Sequence, residues 1–378
     1  MSSIAMSGKP MSAEDVRAIL EGRKTNSTST SKKSGNDWGQ YTFFAHGIHK
    51  ECATIEEALQ TFEIDWTVRT VDLRSHSPSE PQFHNIDFFD HKGIIREDNN
   101  FPLSTVGATI YNPVQNRECM EMFEDIIKEG KLIIESGGVF DYGRRIWVAC
   151  RLPEPVKIKF KSGDEQTILR YLHISWSHDQ SQAITVSFMP YVAERKVSLA
   201  SFVPSGVPCS VSFKHTKTAQ ERMKKSSGIL AKALRFFQDA EEMLQKLASR
   251  TLTPERFDEM LSYLYPEPEE KELDNDGNPK KSKNSKLRDK IKDRWEKLPS
   301  DLQFTDFGAM LAVAEDADFE GRTAVRGSKE MSEDEKDAKQ REKRLDSSLF
   351  GTAQKKKQTG VKVIFNFDKI KQAGGIKE

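Results

Sequence analysis

The chain reads as an α+β protein: an antiparallel β-meander with an inserted helix, followed by a mainly helical C-terminal region. Three observations predict this. Between about residues 131 and 192, alternating apolar and polar runs are cut by the turn sequences DYG, PEP, SGDE and SHDQSQ, the pattern of neighbouring antiparallel strands. Ahead of them, VQNRECMEMFEDIIKEG carries apolar residues at helical spacing and closes on Gly130, so a helix over Val114–Glu129 interrupts the strands. After about Thr218 the period lengthens, and Ile229, Leu230, Ala233, Leu234, Phe237 and Leu244 fall on one side of a long helix.

Taken in order, residues 1–40 are rich in Ser, Thr, Lys and Gly and read as a flexible arm. A core domain follows over 41–215. It opens with YTFFAHGI as a strand or loop, then Thr54 caps TIEEALQTF with Glu57 three residues on, the pattern of a capping box. WTVRTVDL, NIDFFDHKG and Gly107–Tyr111 are strand candidates, with His91-Lys92-Gly93 as a turn. Cys119, Met122, Phe123 and Ile126 form the buried stripe of the inserted helix, which makes Cys119 a core residue. Strands are expected at about 131–139, 144–152, 156–161, 167–176 and 183–192. A helical region spans 216–353, with a second helix starting at Thr253-Pro254, where Pro occupies the first helical position. A charged linker at 266–285 precedes LRDKIKDRWEKL and the apolar FTDFGAMLAVAEDADF, and residues 354–378 read as a basic tail.

Composition narrows the class. Lys+Arg and Asp+Glu number 58 each, so the chain is no globally basic nucleic-acid coat, and any such site must be a local patch. The four Cys form no CxxC pair, which fits neither a zinc site nor a disulfide framework and suits a reducing compartment. No apolar run approaches membrane-spanning length and MSSIAMSGKP lacks a signal-peptide core, so a cytoplasmic location with no membrane partner is expected.

The most suggestive stretch is Gly137–Gly163, GGVFDYGRRIWVACRLPEPVKIKFKSG. As two strands, it sends Ile146, Val148, Cys150 and Leu152 one way and Arg145, Trp147, Ala149 and Arg151 the other. Val156, Ile158 and Phe160 then oppose Lys157, Lys159 and Lys161. The result is one apolar face and one basic face with a Trp in it. Arg144, Arg145, Arg151, Lys157, Lys159 and Lys161 are candidate phosphate ligands and Trp147 a candidate base-stacking residue. A solvated sheet edge kept soluble by lysines has the same pattern. Asn112, Gln115 and Asn116 open the inserted helix, where they can cap it or hold an anion. His84, Asp87, Asp90, His91, His173 and His178-Asp179 are the acid–base residues that a metal-dependent nuclease would need to bring together. No HxH or HExxH spacing supports that, and neither a metal nor a cofactor is expected.

Several pieces in order resemble the phage/plasmid-like family of unknown function. They are Asp65-Trp66, TIYNPVQN, SGG with GRRIWVACRLP, ISWSHDQSQAITVSFMP, KHTKTAQERM, the LYPEPEE turn and LDSSLFG. The chain departs from that pattern at Arg195 and Val197, where the family strand carries Cys and Asn, and at Phe319, where it carries His. The resemblance implies mobile-element biology in a bacterial host. With the basic face, it gives the functional expectation of a homo-oligomeric protein that binds single-stranded DNA, with strand annealing in recombination or replication as the role. A non-enzymatic oligomeric scaffold or host-interaction protein is the second reading, and a metal-dependent nuclease the third.

Overall fold

The computed structural model describes residues 47–75, 87–108, 112–193, 195, 197–199, 206–214, 228–269, 280–319 and 331–373. The N-terminal arm, His84, Tyr111 and the start of the long helix lie outside these residues. The architecture is α+β: two antiparallel sheets in the first half and a mainly helical second half.

Strand β1 (Ile48–Cys52) leads into α1 (Ile55–Thr61). Thr54 Oγ1 accepts the Glu57 N–H at 3.1 Å. Glu57 reaches back to the Ala53 N–H, one residue before the partner that a capping box would use. Strands β2 (Val68–Arg74), β3 (Asp87–Arg96) and β4 (Pro102–Gly107) form a three-stranded sheet in sequence order. His91-Lys92-Gly93 is no turn. Lys92 pairs with Asp72 and Gly93 with Val71 in mid-strand, because two flanking partners supply the ladder bonds that a local reading cannot see.

The inserted helix is two short ones, α2 (Asn116–Glu121) and α3 (Glu124–Lys128). Phe123 leaves helical geometry at φ −109° and ψ 1°, and its side chain is fully buried beside Cys119 and Met120. Strands β5 (Ile133–Phe140), β6 (Arg145–Arg151), β7 (Val156–Lys159), β8 (Glu165–Ser177), β9 (Ile184–Val192), β10 (Val197–Ser198) and β11 (Ser210–Phe213) follow. They join β1 in an eight-stranded sheet whose main path runs β1-β5-β6-β8-β9-β10, with β7 on β8 and β11 on β9. The register shifts between Ile134 and Ser136, an irregularity in the SGG strand. Beyond it Gly137 must stay small, since a Cβ there would come within 2.4 Å of the Phe62 ring.

The remaining helices are α4 (Ile229–Ser249), α5 (Pro254–Leu264), α6 (Lys283–Glu296), α7 (Ser300–Gln303), α8 (Asp306–Phe319), α9 (Glu333–Leu349) and α10 (Thr352–Gln372). Helix α8 is buried along nearly its whole length, including Glu315, Asp316 and Asp318. Residues 374–378 of the expected basic tail lie outside the described residues, and 354–372 are instead part of α10. Its Val361, Ile364 and Phe367 pack in the helical core, and Gly360 lets it approach α8, since a Cβ there would lie 2.7 Å from Val313. Lysines at 355–357 hide this stripe in a compositional reading; helical spacing separates the two faces.

The large sheet is covered on both sides. Ile146, Val148, Cys150 and Leu152 face α1–α3 and the first half of α4. Trp147, Ala149, Tyr171, Met189 and Tyr191 face Leu345 and Leu349 of α9. A third cluster joins Ile158, Phe160 and Ile168 to helices α4–α8 and α10.

Candidate nucleic-acid edge and the buried polar centres

The alternation expected in Gly137–Gly163 is present, but its two strands have opposite fates. Strand β6 pairs with both β5 and β8, so it is central and each face meets other elements. Trp147 has no exposed surface. Its ring stacks on His173 at 5.6 Å and lies 6.4 Å from Phe140. It is a core residue, and base stacking on it is excluded as the chain is folded. Arg145 pairs with Asp346 of α9. Arg151 is clamped between Glu51 at 3.0 Å and Glu135 at 3.1 Å. Arg144 pairs with Asp141 at 3.0 Å. Arg145 thus ties the sheet to α9, Arg151 links its own strand to β1 and β5, and Arg144 closes its turn, each on a carboxylate partner in place of a phosphate.

Among the described strands, β7 pairs only with β8 and keeps its lysines in solvent. Ile158 and Phe160 are buried, while the Lys157 and Lys159 side chains are 61% and 72% exposed. Both approach one carboxylate, Glu165, at 2.9 and 3.7 Å. That pairing, with Lys157 as the larger contributor, holds the Glu165 carboxyl below its ordinary range. Lys161 is exposed; its Nζ is 3.4 Å from Thr251 Oγ1, and no carboxylate stands within ion-pair distance among the described residues.

The helix-opening residues are turned inward. Gln115 bonds the backbone of Val68, Oε1 accepting its N–H at 2.9 Å and Nε2 donating to its carbonyl at 3.0 Å. Asn116 is buried and uses all four of its hydrogen-bonding sites. Its Nδ2 donates to the Ile64 and Trp66 carbonyls, and its Oδ1 receives Trp176 Nε1 and His178 Nε2, each at 2.9 Å. His178 therefore carries its proton on Nε2 in this bond. Asn112 is exposed in the loop before α2. Gln115 and Asn116 are not arranged to hold an anion, because their carboxamides satisfy buried backbone and rings first.

Among the described residues, the histidines of the nuclease reading do not converge. His178 lies against Trp66 on one side of the sheet. His173 lies between Trp147 and Phe350 on the other, where burial pushes its pKa down to about 3. Asp87 pairs with Arg74 and Asp90 with His91, and among the described residues no group of three or more His, Cys, Asp or Glu is placed to hold a metal ion.

Sequence reasoning missed a second buried centre. Lys357 of α10 is fully enclosed, and its Nζ donates to Ser198 Oγ at 2.7 Å, Asp318 Oδ1 at 2.8 Å and Ser348 Oγ at 3.1 Å. Ser348 and Ser198 donate in turn to Asp318 at 2.6 and 3.1 Å. Burial drives the Lys357 pKa down, against the opposing pull of Asp318. The cluster joins β10, α8, α9 and α10. Two of the positions where the chain departs from its family resemblance adjoin it in sequence: Val197 precedes Ser198, and Phe319 follows Asp318. Arg195 instead forks onto Glu315 at 2.7 and 2.8 Å. The signal available in sequence was the Ser pair of LDSSLFG; its partner Lys357 was hidden in the supposed tail.

Sheet, helices and polar centres define an α+β domain whose largest sheet is buried on both faces, with one cationic edge left in solvent. No curated protein and no solved structure matches the chain. Residues 102–349, well over half of it, match the family described as "Domain of unknown function (DUF932)". The chain belongs to that family.

Proposed function

We propose that the chain is a DNA-transaction protein of a phage or plasmid that binds single-stranded DNA along the β7 edge and does not cleave it, with annealing or protection as its role. The observation that carries this reading is the lysine row on an outer strand. Lys157 and Lys159 on β7 stand about 6.6 Å apart, at about 3.3 Å per residue, and Lys161 follows in the turn after the strand. Lys157 and Lys159 share one nearby carboxylate, Glu165. Exposed pairs of that kind are weak because solvent screens them, so a phosphate can displace them. The half-buried, carboxylate-paired Arg145 and Arg151 and the buried Trp147 take no part.

A filter-binding salt titration tests it. Three lysines on a single strand give a slope of log K against log salt near about −2. Replacing Lys157, Lys159 and Lys161 together by Ala removes retention at low salt. Failure of the unaltered chain to retain any oligonucleotide at low salt sinks the proposal.

A second reading has its own observation. Phe88 and Phe89 on β3 are 50% and 86% exposed, and paired exposed aromatics favour a protein contact, self-association included. If this is a scaffold, Phe88→Ser with Phe89→Ser changes the oligomeric state in light scattering while leaving DNA retention absent throughout.

A further inference from the structure

Lys161 stands at the rim of a cleft that the lysine row alone does not use. The cleft, of about 210 Å³, lies where the end of β7, the C-terminal end of α4 and the turn from α7 into α8 meet. Lys161, Arg250, Thr251, Asp301, Phe304 and Thr305 are among its lining residues.

Its side chains are held in place rather than loosely splayed. Arg250 Nη1 donates to the Phe365 carbonyl at 2.9 Å, and its guanidinium lies 5.0 Å over the Phe365 ring. The nearest carboxylate, Asp306, is 3.8 Å away and makes no hydrogen bond to it. Phe304 is 44% exposed. Its ring is braced edge-on by buried Trp295 at 6.0 Å, and Trp295 is itself fixed by a hydrogen bond to the Gln303 carbonyl. An exposed ring with a rigid backing is a stacking platform that loses little freedom when a base lands on it. Lys161 and Arg250 against Asp301 leave the lining with a formal charge of +1. That suits an internal phosphodiester, with its single charge, better than a terminal phosphate carrying close to two at pH 7.

We propose that this cleft is a nucleotide subsite, taking one internal phosphodiester of a single strand on Lys161 and Arg250 with the adjoining base stacked on Phe304. It rests on the reading of the chain as a single-stranded DNA binder. The contact would carry the strand from the β7 lysines onto the helical half of the protein.

The test is fluorescence anisotropy of a labelled oligothymidylate with the full chain, competed by the dinucleotide TpT and by thymidine 5′-monophosphate. Phe304→Leu keeps an apolar cover over Trp295 and is expected to weaken binding at least about fivefold, the lower end of a stacked base. Lys161→Gln lies at an exposed site and is expected to reduce the salt slope by about 0.7. TpT should compete better than the monophosphate. Circular dichroism and the thermal midpoint establish that each variant is folded; if Phe304→Leu is not, Phe304→Met carries the comparison. Oligonucleotide binding by the folded Phe304 variant within twofold of the unaltered chain overturns the subsite while leaving the β7 edge standing. Tighter binding of the monophosphate than of TpT overturns the phosphodiester assignment. No binding by the unaltered chain overturns the subsite and the proposed function together.

Discussion

Gln245 on α4 bonds both backbone groups of Lys159 on β7: its Oε1 accepts the Lys159 N–H at 3.1 Å and its Nε2 donates to the Lys159 carbonyl at 2.7 Å. Gln115 does the same to Val68 on β2. A carboxamide offers one acceptor and one donor side by side, as a residue of a neighbouring strand does. Each glutamine thus stands in for one residue of a missing strand and blunts an edge that would otherwise invite another chain. On β7 this leaves the backbone closed while the lysine side chains stay free to meet a solute.

Removing that cover should show in two measurements. Gln245→Ala is expected to cost about 0.5–1.5 kcal/mol in urea unfolding, the net worth of the bonds lost. Light scattering should register more self-association through the reopened β7 edge. An unchanged urea midpoint would mean that the Lys159 backbone is equally content with water.

Lys357 and Asp318 lie together in the interior, and removing one leaves the other stranded. Lys357→Met is expected to destabilise by about 3–5 kcal/mol. Adding Asp318→Leu should recover most of the loss, because the double variant buries no lone charge. A double-mutant cycle in urea reads the coupling directly. A double variant no more stable than Lys357→Met would show that the two serines, rather than the ion pair, hold α10 in place.

Asn116 joins the loop at 64–66 to Trp176 and His178. Asn116→Ala leaves two carbonyls and two ring N–H groups without this partner in a dry interior. A loss of about 3–5 kcal/mol is expected from several such groups together, with a red shift of tryptophan emission as Trp176 loosens.

Two buried groups make opposite demands on pH. His173 is held neutral, its pKa pushed down to about 3 by burial. Between the ordinary histidine value of 6.5 and that point the unfolded chain binds the proton and the folded chain does not. Stability from this group is full above 6.5 and falls on acidification, by at most about 1.4 kcal/mol per pH unit. Asp306 is pushed up to about 6, burial outweighing Arg256 and Arg250 nearby. Between 3.8 and 6 the folded chain holds its proton more tightly, so this contribution is lost as pH rises through 6. Thermal melts from pH 7 to 4 should therefore fall less steeply for His173→Phe, and more steeply for Asp306→Asn, than for the unaltered chain.

Much of the fold could be read from local pattern. Alternation in Arg145–Arg151 and Lys157–Lys161, the turn chemistry between them and the Thr253-Pro254 start of α5 are each encoded within a few residues. The local pattern also marks Trp147 and Lys157 as lying on the polar faces of their strands. It carries no information about what lies above those faces, and there the candidate site divided. Trp147 and Lys157 look alike in an alternating strand. One is core because β6 has two strand neighbours and α9, two hundred residues on, lays Leu345 and Leu349 over it; the other is exposed because, among the described residues, β7 has one strand neighbour and nothing covers its lysines. The identity of each strand and its two faces belongs to the sequence. Tertiary packing decided which face meets water, because burial is set by elements far away in the chain, as were the pairing of Lys357 with Asp318 and the cleft that joins Lys161 to Phe304.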